Sequence, residues 1–452
     1  MIVPRKMIST MLASIMLFTG LSACSSNTGS NGETGTSAAP QASSPETSAP
    51  PADSQPDELK GDLTWFGLAS PDTFEEQYGQ FLKQKFPKIN FTYINQTEEQ
   101  RLEQLIASGT QIDMYLTSAH DLRVQYMPAN MALDLSPLIE KHGVDLSAIE
   151  PAYMDAVTVD GKPYLLPVSD NKFVMYYNKD MFDRFGVKYP WDGMTWDDAL
   201  TLSKQITRNE GGKQYIGLWM SPKHYFRVAQ NSAGLVDPET NKATVNNDQW
   251  KFIFDNIFYN FTRDPGFQQR ANKEWLSHAD FNKNFVVGMY IYQSGWMMSA
   301  DTSLPENWDI AAVPTFKEYP DINTQTYATY AGISATSKQQ DLAMEVLKYL
   351  ISEEYQTLIS KRGMITPLLS QAVRDAAFAD YPFADSKNIQ ALYYGTPAKG
   401  RVMTQFDELV IEESFDADIV REIAKGKLDV NSALRRAEET ANKLIQEQLT
   451  KQ

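Results

Sequence analysis

From residue 61 to the end of the chain, short apolar runs alternate with helically spaced ones. Leu63-Thr64-Trp65-Phe66 predicts a strand, Phe74 to Phe86 has apolar residues at helical spacing, and Lys88 to Ile94 alternates as a second strand. Glu98 to Ala107 is again helical, and Ile112 to Thr117 is again a short apolar strand. A β-α-β-α-β order predicts an α/β fold with a parallel, doubly wound sheet and helices on its faces. Ligands of such sheets bind beyond the carboxyl ends of the strands. That rule points to the loops Ala69-Ser70 and Ser118-Ala119-His120-Asp121.

A second unit starts near Val168. Phe173 to Tyr177 predicts a strand, and Asn178-Lys179-Asp180 leads into a helix. Thr195, with Asp198 three residues on, has the form of a helix cap. Asp197 and Asp198 also suggest a pair of catalytic acids, but adjacent positions diverge on a helix and first-turn acids complement the macrodipole. Tyr215 to Met220 and Val286 to Tyr292 predict further strands, and Asp309 to Pro314 is extended. Asp341 to Ile351 and Val430 to Gln448 are amphipathic helices by spacing.

The first sixty residues break this pattern. Arg5 and Lys6 precede an apolar stretch from Met7 to Gly20, too short for a membrane span and shaped like a secretory signal. Leu21-Ser22-Ala23-Cys24 resembles the bacterial lipobox, which implies cleavage after residue 23 and a lipid, palmitate included, on Cys24. Cys24 is the sole cysteine, so it has no internal disulfide partner. Residues 24–60 are expected to be the lipidated cysteine and a tether of Ser, Thr, Gly, Ala, Asn, Pro and Gln, with too little apolar surface to fold. About thirty such residues span on the order of 30 Å. The net charge of -16 disfavours nucleic acid as a partner.

Around Pro167 the residues become diagnostic. Gly161-Lys162-Pro163-Tyr164-Leu165-Leu166-Pro167-Val168-Ser169 is followed, four residues later, by Val174-Met175-Tyr176-Tyr177-Asn178-Lys179. This resembles the signature of the family 1 extracellular solute-binding proteins of ABC importers. That signature has a small or apolar start, a four-residue gap, an apolar pair, then Tyr-Asn and an apolar residue four positions on. Phe182 fills the last apolar position, and Arg184 is an imperfect match at the final polar one. Gln293-Ser294-Gly295-Trp296, Val313-Pro314-Thr315-Phe316 and Gly332-Ile333-Ser334 are similar to maltodextrin-binding members of that family.

The resemblance covers essentially everything from Gly61 onward. It implies a two-lobed periplasmic-binding-protein-like fold of type II, each lobe a doubly wound sheet with flanking helices, joined by hinge crossovers. Residues 61–167 plus 315–362 would form the first lobe, and 168–314 plus 363–452 the second. It further implies a monomer that captures a small solute, a mono- or oligosaccharide, in the interlobe cleft. The solute would pass to the transmembrane subunits of an ABC importer, outside the cytoplasm and at the cell membrane.

A sugar site needs aromatic faces for C–H surfaces and polar groups for hydroxyls. With 8 Trp, 22 Tyr and 22 Phe, most aromatics must be core, so position has to decide. Asp121 lies in a run that resembles the family's hydroxyl-binding loop, with a helix cap or an exposed loop acid as the alternative. Trp296 matches the family's stacking tryptophan, with a hinge-side core residue as the alternative, and Tyr225 stands at the position of a binding aromatic. Trp65 and Ser70 border the first loop, where ligand contact and simple packing are both open. Tyr327 and Tyr330 precede the Ala331-Gly332 segment at the expected cleft floor.

No nucleophile elbow, P-loop, dinucleotide fingerprint or H-E-x-x-H motif occurs, so no catalytic residue, cofactor or metal is expected. His120, His142, His224 and His278 are scattered in sequence. Three alternatives stay open. A polyol, a peptide or an organic acid could take the place of a sugar, and Arg123, Lys223 and Arg227 would suit an acidic or phosphorylated one. Two carboxylates would suit a surface glycoside hydrolase. A sensor subunit would look the same.

Overall fold

A computed structural model of the chain describes residues 58–299, 304–415 and 417–450. The signal segment, Cys24 and nearly all of the tether lie outside them. The predicted strands form where alternation and apolar runs placed them: β1 (Gly61–Gly67), β2 (Ile89–Asn95) and β3 (Met114–Thr117). A small hairpin, β4 (Thr158–Val159) with β5 (Lys162–Pro163), leads to β6 (Leu166–Asp170) and, after a two-residue gap, β7 (Phe173–Asn178). There follow β8 (Arg208–Glu210), β9 (Lys213–Met220), β10 (Val287–Gln293), β11 (Trp308–Ala311), β12 (Ile322–Asn323), β13 (Ala328–Ile333) and β14 (Thr396–Pro397).

Two five-stranded sheets result, ordered β2-β1-β3-β13-β6 and β11-β7-β10-β9-β8. β1 runs parallel to β2 and β3, as the β-α-β-α-β reading requires. β13 is antiparallel to both β3 and β6, so the sheet is mixed. The second sheet is mixed too: β10 is parallel to β9 and antiparallel to β7. Sequence order alone does not show this, because β13 and β7 enter their sheets from connections that come from the other lobe.

Each sheet has its own core. One runs from Leu63 to Val168 and from Tyr330 to Val373. The other runs from Phe173 to Phe316 and from Ala377 to Ile445, with Ile365 joining it. The chain therefore changes core within 169–172, 317–329 and near 364–376. The second change falls later than the expected 314/315 limit because Phe316 packs on Trp196, with ring centroids 6.0 Å apart.

Local chemistry explains the helix starts. Thr195 and Asp198 form a reciprocal cap: Thr195 N donates to Asp198 Oδ2 at 2.8 Å, and Asp198 N to Thr195 Oγ1 at 3.3 Å. These hydrogen bonds hold the Asp198 carboxyl below its usual range. Asp197 points to solvent and pairs with Lys317, so the two acids share no site. Tyr176 and Tyr177 face opposite sides of β7, as strand geometry requires. Tyr176 packs against Trp296 and Trp308, and Tyr177 against Phe182 and Tyr189. No described helix is long and apolar enough to cross a membrane.

The helix Trp196–Ile206 lies directly on β9 at Gly217, whose N–H donates to Thr207 Oγ1 at 2.9 Å. A Cβ at Gly217 would collide with the Ser203 backbone, which cannot rotate away. Gly217→Ala should therefore cost about 1–3 kcal/mol through overpacking, read as a lower urea midpoint at an unchanged slope.

Candidate functional site

A cleft of ≈ 620 Å³ opens between the two sheets. The first lobe contributes Leu68-Ala69 and the loop from Leu116 to Asp121. The second contributes Lys223, His224 and Arg227 together with Arg401 and Glu408, and Met403 lines the cleft while packing on the first core. Asn171 and the segment Gln325–Tyr330, both from chain crossings, form the floor.

On the first wall, Ser118 caps a short helical turn. Its Oγ accepts from Asp121 N at 3.0 Å and donates to Asp121 Oδ2 at 2.9 Å. This fixes the Asp121 carboxylate at the cleft edge. His120 spans the cleft: Nδ1 is 3.3 Å from Asp121 Oδ1 and Nε2 is 3.1 Å from the Thr404 carbonyl. Thr404 lies between Met403, which packs on the first core, and Phe406, two residues on, which is buried in the second. Both nitrogens face acceptors, an arrangement only the protonated ring satisfies with two donors. Burial opposes that charge, but Asp121, Asp407 and Glu408 outweigh it and the His120 pKa is raised.

On the second wall, the helix Pro222–Arg227 follows β9. Ser221 Oγ lies 2.7 Å from His224 Nδ1. Burial, then the Arg227 and Lys223 charges, lower His224 to about 4, so this ring is neutral near pH 7. Arg227 grips Glu408 through Nε at 3.0 Å and reaches Glu412 at 2.7 Å. Burial disfavours its charge, but Glu408 and Glu412 prevail and raise its pKa. Lys223 pairs with Glu412 at 3.1 Å, and buried Arg401 pairs with buried Asp407 at 3.0 Å. Every lining Lys and Arg therefore has a carboxylate partner.

The sequence-predicted residues separate clearly. Asp121 and Tyr327 line the cleft, and Tyr327 is 40% exposed. Tyr330 backs the floor but is buried, its hydroxyl donating to the Tyr153 carbonyl at 3.3 Å. Trp65 is fully buried in the first core against Phe74, and Ser70 caps the helix at Pro71; neither lines the cleft. Tyr225 is also core, donating to Gln230 Oε1 at 3.1 Å. The reason is helical phase: Lys223, His224 and Arg227 occupy the cleft face of that turn, and Tyr225 and Phe226 the core face.

Trp296 stands one ring behind the lining. Tyr292 contacts both His224 and Trp296, at centroid distances of 5.2 and 5.6 Å, and Gly295 N donates to Asn171 Oδ1 at 2.8 Å. Arg123 lies off the lining. Sequence reasoning missed His224, Asn171, Gln325 and the whole 400–412 segment. The i,i+4 spacing of Glu408 and Glu412 was the available signal. Their partner Arg227 is 181 residues away from Glu408 in the chain. Among the described residues, no group of three or more His, Cys, Asp or Glu is placed to hold a metal.

Over residues 68–357 the chain matches the bacterial extracellular solute-binding proteins. It is 23% identical to a lactose-binding protein of Rhizobium radiobacter over 325 residues, 65% of this chain and 71% of the relative. Among solved structures it resembles a sugar transporter from Rhizobium etli in an open conformation, at TM-score 0.69 and 19% identity, covering 84% of this chain and 99% of the other. The sugar-binding protein MalE of Xanthomonas citri matches at TM-score 0.68 and 15% identity, covering 86% and 98%. A cyclic alpha-maltosyl-1,6-maltose binding protein from Arthrobacter globiformis matches at TM-score 0.67 and 19% identity, covering 86% and 100%.

The two cleft histidines should oppose each other in acid. His224 titrates near 4 when folded, below ~6.5 for a free imidazole. The stability of its neutral form is complete above ~6.5 and is lost as pH falls from there towards 4. His120, whose folded pKa is raised, adds stability that is complete below ~6.5 and is lost as pH rises through the folded value. Melting midpoints between pH 8 and 4.5 should fall less steeply with acid in His224→Gln and more steeply in His120→Gln. Curves parallel to the parent in both variants would contradict this assignment.

Proposed function

The chain belongs to the bacterial extracellular solute-binding protein family, and from that premise we propose that it captures a neutral, polyhydroxylated solute, a mono- or oligosaccharide, for an ABC importer. The observation that carries the substrate class is the internal pairing of the cleft's cations. Lys223, Arg227 and Arg401 are each taken up by Glu412, Glu408 or Asp407. Among the described residues no spare Lys or Arg lines the cleft to face a solute carboxylate or phosphate, whereas such an anion would recruit one. What remains is a balanced array of oriented donors and acceptors beside the Tyr327 and His224 rings, suited to hydroxyls and C–H faces. The names borne by the lactose-binding and MalE relatives point the same way.

Asp121 and Tyr327 contact the solute in this reading, Tyr330 supports the floor, and Trp296 braces Tyr292. No bond is made or broken. Ligand favours a closed arrangement of the lobes by its differential affinity for it, and the closed form docks on the transmembrane subunits. The protein acts as a monomer outside the cytoplasm, tethered through a lipid on Cys24.

A thermal-shift screen against sugars, polyols, amino acids, organic acids and short peptides tests the substrate class. A ligand at a hundred times its Kd stabilises by about 2.7 kcal/mol, so sugars should raise the midpoint, and Tyr327→Ala and Asp121→Asn should weaken that shift. Midpoints moved only by acids or peptides would overturn it. For the anchor, Cys24→Ala should move the protein from the membrane fraction into the medium; an unchanged distribution would remove the lipid.

A further inference from the structure

The cleft does not end at its own rim. A second, open groove of ≈ 500 Å³ runs along the outside of the first lobe, and Leu68 belongs to the lining of both. Leu68 is 63% exposed, the most exposed large hydrophobic side chain among the described residues. An isolated exposed leucine needs no explanation, but this one forms the saddle between two cavities.

Its loop is held in place from below. Asn95 Nδ2 donates to the carbonyls of Ala69 at 2.7 Å and Leu68 at 3.3 Å, and the Tyr93 hydroxyl donates to Ala69 O at 2.7 Å. The Gln96 backbone N–H donates to Gly67 O at 2.7 Å. The groove wall beyond is also organised: Thr97 and Gln100 close a tight turn, with Gln100 N donating to Thr97 Oγ1 at 3.1 Å. Besides Leu68, the groove is lined by Gln96, Thr97, Glu98, Arg101, Glu103 and Gln125, with Arg101 paired to Glu98. It offers amide, hydroxyl and paired-ion hydrogen-bonding groups around one apolar step, the same chemistry as the inner cleft.

We infer that the solute is an oligosaccharide whose distal units leave the cleft over Leu68 and lie in this outer groove, so that chain length is part of what the protein selects. The inference rests on the carbohydrate reading and adds a second site to it. Leu68 supplies a surface for a sugar C–H face, and Gln125, Gln96 and Arg101 supply donors to outward hydroxyls.

Calorimetry on the whole protein tests this with α-1,4-glucans from glucose to maltohexaose, and with cello- and galacto-oligosaccharides over the same lengths. Affinity should keep rising beyond the disaccharide, by about tenfold in total, the worth of one or two hydrogen bonds. The double variant Arg101→Ala/Gln125→Ala alters one exposed and one half-buried side chain, and an unchanged melting midpoint checks that it folds. It should lower the ratio of long-chain to short-chain affinity towards one. Affinity that levels off at a mono- or disaccharide would overturn the outer site and leave the sugar reading standing. A length dependence that survives in the double variant would overturn it as well, by placing the distal units elsewhere. Binding to no sugar of any length would overturn both.

Discussion

One buried acidic residue holds the three chain crossings together, two through its carboxylate and the third through its backbone N–H. Asp170, at the end of β6, accepts from the Tyr153 hydroxyl at 2.6 Å, from Asn171 N at 2.7 Å and from Tyr327 N at 2.9 Å. Its own N–H donates to Ile365 O at 2.8 Å. The first crossing supplies Asn171, the second Tyr327 and the third Ile365. Burial pushes the Asp170 pKa up, and the nearby Lys172 charge and these donors pull against it. A group so placed is costly to leave with any partner missing, so it sets the geometry of its neighbours. Asn171 in turn orients Gly295, and Tyr327 is delivered to the cleft floor.

The cleft's polar groups are fixed by the same economy of pairing. Arg227 follows β9, whereas Arg401, Asp407 and Glu408 come from the 400–412 segment; these two segments meet only in the folded chain, and each fixes the other's orientation. Donors and acceptors held in place by neighbours need little reordering when a solute arrives, which lowers the entropic cost of binding. The cations and carboxylates of the site are matched, so the net charge of -16 does not arise there. His120 adds a link from wall to wall, sensitive to protonation because acceptors flank both of its nitrogens.

The sequence by itself determined the elements, since apolar period is a local property. Strands such as Gly61–Gly67 and Lys213–Met220, the cap at Thr195, and the long helix Val430–Leu449 stand within a residue or two of where periodicity put them. The motif from Gly161 to Lys179 likewise announced the family, because it spans the first crossing, where backbone and packing constrain many adjacent residues together. Only the tertiary structure decided which aromatics are core and which face solute. Trp65 and Tyr225 sit beside cleft segments in sequence yet point away, since strand alternation and helical phase are settled by packing against the other lobe elements. It also decided the antiparallel return of β13 and the pairing of Arg227 with Glu408 and Glu412. These contacts join residues more than a hundred positions apart, and no local pattern carries information about a partner that only chain closure brings near.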